Sequence, residues 1–329
     1  MQKIEKRVDV TAAAGLGEAL EMAVTIFLPA PEQLPARPIA IFAAPGGGYG
    51  RGYFDLRFPG REGYSEAAYH AGRGIIHVAI DHVGVGESTI PDLSRITFQT
   101  LAATHDRCVR QIGAWLEAGE LAAGFPPCPG LFKVGMGQSM GGGVALLAQG
   151  RCATFDAVAP CGVSAIHTVL PQRTVAEVEH GKARFAEVRV GEARVSHQTM
   201  SHDGVDYLYP FHWEDVPADI LAADMAGGYP VRRTPPWFGS ATIPHCAVQM
   251  MTPGAFSEDA ARIEIPVLVG VGERDTCPDP HGEPSAYARS PDVSLFIVRN
   301  MAHMHNFAST RARLWARLHG WARLVAQAD

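Results

Sequence analysis

Cysteine is scarce and scattered: six in 329 residues, with no C-x-x-C pair and no Cys/His zinc spacing. That excludes a disulfide framework and a zinc-finger scaffold, and reads as reduced, partly buried thiols. Long apolar runs are missing too. No stretch of about 18 residues stays apolar, so no membrane span is expected. The first residues mix Lys3, Glu5, Lys6 and Arg7 and lead into no apolar run, so no secretory signal is expected either. Charge of one sign is not concentrated anywhere. The balance of 28 basic against 34 acidic residues gives −6 with no dense Lys/Arg run, which argues against a nucleic-acid partner. No repeat period is visible. The expectation is a soluble cytoplasmic protein with a small-molecule substrate and neither membrane nor nucleic-acid partner; homo-oligomerisation is left open.

What is present fits a sheet protein with a large core. A chain of 329 residues implies about two domains, or one core carrying an insertion. Short β-branched apolar runs at 23–28, 39–44, 75–80, 132–136, 157–159, 267–271 and 295–298 have the length of buried strands, with helical stretches between them. Ser65 is placed to cap a helix that Gly72 stops, and Leu101, His105, Val109, Ile112 and Leu116 mark one face of a longer one. Near the end, Leu314, Leu318, Trp321 and Val325 recur at helical spacing with arginines elsewhere on the wheel. A basic amphipathic helix can lie on a membrane, but a terminal helix docking this stripe on the sheet is the better reading.

From Ser164 to Arg262 the strand–helix rhythm fails. That segment holds His167, His180, His197, His202, His212 and His245, with aromatics at Tyr207, Tyr209, Phe211, Trp213, Trp237 and Phe238. So long a structureless loop is anomalous in a compact domain, so 164–262 reads as an inserted helical cap on a core formed by 1–163 and 263–329. The aromatics either line an apolar pocket, with a histidine or Tyr49 at its polar end, or form the cap's own core.

The chemistry concentrates after the strand at 132–136. Gly137-Gln138-Ser139-Met140-Gly141 runs from strand to helix through a sharp glycine-framed turn with serine at its apex. This G-x-S-x-G spacing is a nucleophile elbow, and a helix N-terminus behind the serine favours developing negative charge. Pro45-Gly46-Gly47-Gly48-Tyr49-Gly50 follows another strand, and N–H groups of Gly47 or Gly48 together with Met140 can form an oxyanion hole. Asp81, which opens Asp81-His82-Val83-Gly84-Val85-Gly86, is read as structural. Asp275 stands just past a strand, with Asp279 and then Glu273 as substitutes, and His303 follows the last strand by a short loop, with His305 as its alternative. The order Ser139, Asp275, His303 is the hydrolase-fold order, unlike that of either protease arrangement.

These motifs together resemble the α/β-hydrolase superfamily over nearly the whole chain: PGGGYG, DHVGVGES, GQSMGG, GERD and AHMHNF. The resemblance implies an eight-stranded, mostly parallel α/β sheet with a cap after the sixth strand, and a Ser–His–Asp triad working without cofactor or metal. One departure is Pro45, where many such relatives have histidine, so the hydrogen bonds of that histidine are missing. A serine elbow argues against dehalogenase and epoxide-hydrolase chemistry, which need aspartate there. The expected activity is hydrolysis of a carboxylic ester or lactone of a small to medium apolar substrate through an acyl-enzyme. Carbon–carbon bond or thioester hydrolysis is the alternative, followed by peptidase action and a non-catalytic ligand-binding relative.

Two rival site readings are weaker. Gly135-Met136-Gly137-Gln138-Ser139-Met140-Gly141 sits between strand and helix like a dinucleotide fingerprint, with Asp156 as the ribose contact, but its third glycine is one place late and it opens past residue 130. His303 and His305 as a metal pair have no third ligand nearby in the sequence.

Overall fold

Central strands of this chain are apolar at nearly every position because both their faces are covered. In the computed structural model, which describes residues 1–190, 206–228 and 232–327, β3 (Ile39–Ala44), β4 (Ile76–Ile80) and β6 (Ala157–Cys161) are buried throughout. With β1 (Gln2–Asp9), β2 (Glu21–Leu28), β5 (Phe132–Gln138), β7 (Val267–Arg274) and β8 (Val293–Ala302) they form one sheet in the order β1-β2-β4-β3-β5-β6-β7-β8. The first two pairings in that order are antiparallel and the remainder parallel. Alternate residues of β3 face opposite sides: Ala40 and Phe42 join the core on one face, Ile39, Ile41 and Ala43 that on the other.

Helices cover the two faces. After α1 (Thr11–Ala14), α2 (Glu66–Ala71) starts where Ser65 Oγ accepts from Ala68 N at 3.0 Å and ends at Gly72. The long α3 (Phe98–Ala118) buries Leu101, His105, Val109, Ile112 and Leu116, the expected stripe, and packs on α4 (Met140–Cys152). Between β6 and β7 lie α5 (Val175–Val190), α6 (Leu208–Phe211), α7 (Ala218–Met225), α8 (Ser257–Ala260) and 3₁₀ turns; the described residues there include no strand of the sheet. His197 and His202 of this segment lie outside the described residues. The last helix, α9 (Arg311–Val325), buries Leu314, Leu318, Trp321 and Val325 against the sheet rather than presenting them outward.

Strand register decides what meets at one edge of this sheet. Ala44 pairs with Gly137, Gln138 with Cys161, and Cys161 with Gly270. The carboxyl ends of β3, β5 and β6 therefore finish side by side, β7 runs on past them to Arg274, and the loops leaving these strands share one end of the molecule.

Candidate active site

Ser139 takes φ 55° and ψ −121°, a left-handed conformation that L residues adopt only under constraint. The constraint is packing on both sides. A methyl on Gly141 would collide with the Ala44 carbonyl, and one on Gly137 with the backbone of Gly141, so β5, the turn and α4 close more tightly than any side chain allows. Ser139 N donates to Cys161 O at 2.8 Å, which ties the apex to β6.

Past β3, Tyr49 N donates to Gly46 O at 3.2 Å and Gly48 has φ 83°, so residues 46–49 form a tight turn. Gly46 faces the serine: a Cβ there would lie 3.1 Å from Ser139 Cβ. Gly47 and Met140 border the same cavity as Ser139. Pro45 is held from the next loop. His82 Nε2 donates to Pro45 O at 2.9 Å, and burial pushes its pKa down to about 4, against the raising effect of that carbonyl, so it stays neutral. Asp81 takes Arg51 N and guanidinium on one side and Glu87 N on the other, tying the two glycine-rich loops together.

Both candidate histidines reach Asp275. His303 Nδ1 donates to Oδ1 at 2.7 Å and His305 Nε2 to Oδ2 at 2.6 Å, while Thr276 N and Gly272 N add bonds of 2.7 and 2.8 Å. Burial alone would raise the Asp275 pKa, but the two imidazoles outweigh it and hold the carboxyl far below the usual range. The two histidines differ in what their other side faces. His303 borders the cavity with Ser139, whereas His305 is not among the residues lining it. The hydroxyl and the His303 ring share the cavity without a hydrogen bond between them; His303 Nε2 lies 3.4 Å from Gln138 Nε2, and that amide donates to His303 O at 2.8 Å. Asp279 and Glu273 lie elsewhere: Asp279 takes Gly282 N, and Glu273 takes Asn300 N. Asp156 receives the Lys133 N–H at the start of β5.

No family model matches the chain, and no curated protein matches it in sequence. Solved structures do match. The chain is similar to a thermophilic esterase from Thermogutta terrifontis, 15% identical over 98% of this chain and 100% of that one, with a TM-score of 0.63. It is similar to a proline iminopeptidase from Mycobacterium smegmatis, 17% identical over 99% of each chain (TM-score 0.62), and to a soluble variant of monoglyceride lipase from Saccharomyces cerevisiae, 16% identical over 93% of this chain and 92% of that one (TM-score 0.62). The chain has the α/β-hydrolase fold.

Within that α/β-hydrolase fold, several site features escaped sequence reading. Gly162, at φ 58°, ends β6 beneath the acid and the histidines. A methyl there would lie 3.1 Å from His303 Nδ1, 3.2 Å from His305 Cε1 and 3.3 Å from Asp275 Oδ1. Asn306 anchors the histidine loop by donating to Tyr53 O and Glu66 and accepting from Trp315 Nε1 at 2.8 Å. Gly162 has no motif around it, a glycine after a strand being too common to single out, and Asn306 stands in the AHMHNF stretch where only its histidines were given a role. The aromatics of 164–262 divide. Tyr207 and Phe211 line the cavity, the rings of Tyr209 and Trp213 stack on the Arg274 guanidinium, and Phe238 packs against Tyr49. Tyr49 is not the polar end of the cavity, since its hydroxyl turns away to Asp224 at 2.8 Å.

Proposed function

We propose that the chain is a serine hydrolase that cleaves small, uncharged, apolar carboxylic esters or lactones through an acyl-enzyme. One observation carries the reading: His303 spends Nδ1 on a buried carboxylate, which leaves Nε2 as its only other ring nitrogen, on a ring that borders the cavity holding a strained serine. His303 takes the proton of Ser139 Oγ as the hydroxyl attacks the acyl carbon, and Asp275 holds the imidazole in the tautomer this needs and stabilises the imidazolium. The N–H groups of Met140 and of Gly47 or Gly48 hold the oxyanion. Water then attacks the acyl-enzyme with His303 again the base. The hydrogen bond from serine to histidine forms on substrate binding, as such contacts tighten in the productive complex.

Residues 164–262 act as the cap, supplying Tyr207, Phe211, Ile243, Val248 and Met250 to the cavity wall. The cavity measures about 100 Å³, and among the described residues its lining includes no Asp, Glu, Lys or Arg. A void of roughly 150 Å³ accommodates benzene, so the acyl part is short, acetyl to butyryl. Six unpaired cysteines suit a reducing compartment, and we place the protein in the cytoplasm.

The test is an ester panel. Nitrophenyl acetate, butyrate and octanoate, beside a lactone and a thioester, are assayed with the parent chain and Ser139→Ala. Turnover should peak at the short esters and fall at least about a thousandfold in Ser139→Ala, with an unchanged melting temperature. Undiminished turnover in Ser139→Ala removes the serine from its role.

A further inference from the structure

The glycine loop after β3 is gripped from outside the core. Arg232, in the segment between β6 and β7, is 1% exposed, and its NH1 donates to the carbonyl of Gly48. Ser240 N donates to that same carbonyl at 2.9 Å, and Gly50 N donates back to Phe238 O at 2.9 Å. Arg232 is itself held. Its NH2 donates to Asp224 Oδ1 at 2.8 Å and to Asp224 O at 2.9 Å, and its guanidinium lies 4.6 Å from the centre of the Tyr49 ring. Asp224, fully buried, also takes the Tyr49 hydroxyl at 2.8 Å and His212 Nε2 at 2.8 Å.

Burying an arginine–aspartate pair is a poor way to gain stability, because desolvation offsets most of the attraction. What such a pair does well is fix geometry, since a planar guanidinium with all its donors directed holds its acceptors in one orientation. Here the acceptors include Asp224 and Gly48 O. The Gly48 carbonyl belongs to the peptide whose N–H, that of Tyr49, closes the turn onto Gly46 O. Fixing that peptide fixes the turn, and with it the directions of the Gly47 and Gly48 N–H groups.

We propose that Arg232, oriented by Asp224 and Tyr49, is a positioning residue for the oxyanion loop, so that the segment lining the acyl cavity also sets how well the loop stabilises the transition state. This rests on the serine-hydrolase reading above. Since an oxyanion hole acts through preorganised donors, loosening the loop lowers kcat while leaving ester binding in the apolar cavity nearly unchanged.

The experiment compares the parent chain, Arg232→Lys and Tyr49→Phe on nitrophenyl acetate between pH 6 and 9. Rates are expressed per site titrated with a fluorophosphonate, and melting curves run alongside. Lysine keeps the charge but cannot serve Asp224 and Gly48 O in the same fixed geometry. Arg232→Lys should lower kcat at least tenfold, with KM within threefold of the parent and the midpoint of the kcat/KM pH profile unmoved. Tyr49→Phe, which loses only the hydroxyl, should lower kcat at least threefold, and it decides the matter if Arg232→Lys does not fold. A folded variant with kcat within twofold of the parent overturns the proposal, as does a loss confined to KM. A midpoint that moves with the fall in rate puts the cluster's influence on His303 and also overturns it. A parent chain inert toward both ester and probe removes the serine-hydrolase reading and this inference together, an outcome distinct from an active parent with indifferent variants.

Discussion

Asp275 is a buried carboxylate with four N–H donors, two of them imidazoles, and it is best understood as a fully satisfied anion. Such a group does not take up a proton near neutrality; it fixes the tautomer of whatever histidine faces it. Because two histidines do, their roles separate by experiment. His303→Ala should lower kcat/KM by about a thousandfold or more, as loss of the base does in such sites. His305→Gln should cost about tenfold at most. Ester kinetics on the two variants check both expectations. The sequence favoured His303, which follows the last strand by a short loop, and kept His305 as its alternative. In the structure the His303 ring borders the cavity with Ser139 and His305 does not.

At the scale of elements, the site exists because β3, β5 and β6 end side by side, β7 runs on past them to carry Asp275, and one short loop is pinned across them. The loop carrying both histidines is held by Asn306, bonded to Tyr53, Glu66 and, through Trp315, to α9. Asn306→Ala strands several buried polar partners, each worth about 1–3 kcal/mol when left unsatisfied. It should lower the melting temperature and reduce kcat, both readable from one preparation by calorimetry and ester turnover. The elbow was legible because strand, glycine-framed turn and helix are written within a few residues. Asn306 was not, because its partners come from elements that only the fold brings near. The edge strand β1 also escaped. Its sequence QKIEKRVD is mostly exposed and charged, the character edge strands use to avoid further pairing, and so it lacks the apolar run that reveals a buried strand. The remaining strands were legible as runs, though β8 extends past the apolar stretch at 295–298 because the exposed polar Arg299 and Asn300 interrupt it before the buried Met301 and Ala302.

Over the whole molecule, two cores sandwich the sheet, and several of the fourteen histidines are enclosed with them. Burial lowers His70, His77 and His105 from 6.5 to about 3 and His82 to about 4. Their folded pKa values lie below the unfolded one, so from pH 6.5 down to about 4 the unfolded chain binds protons that the native chain does not. Stability is therefore present above pH 6.5 and is lost as pH falls through this window, by about 1 kcal/mol per pH unit for each group. Glu66, Asp81 and Glu283, raised by burial, work in the opposite sense, while His319, lowered to about 4, adds to the histidines. Chemical denaturation at pH 7.5, 6 and 5 should show falling unfolding free energy with proton uptake on unfolding; a flat profile would contradict this burial. Composition excluded whole classes of function, but it carried no sign of these enclosed rings, because a histidine in sequence looks the same whether solvated or buried.

The most direct measurement is covalent labelling with a fluorophosphonate, followed by peptide mapping. A single adduct should form on Ser139, at a rate reduced at least about a hundredfold in His303→Ala. An adduct on another serine, or labelling of Ser139 at the same rate without His303, would contradict a serine activated by that histidine.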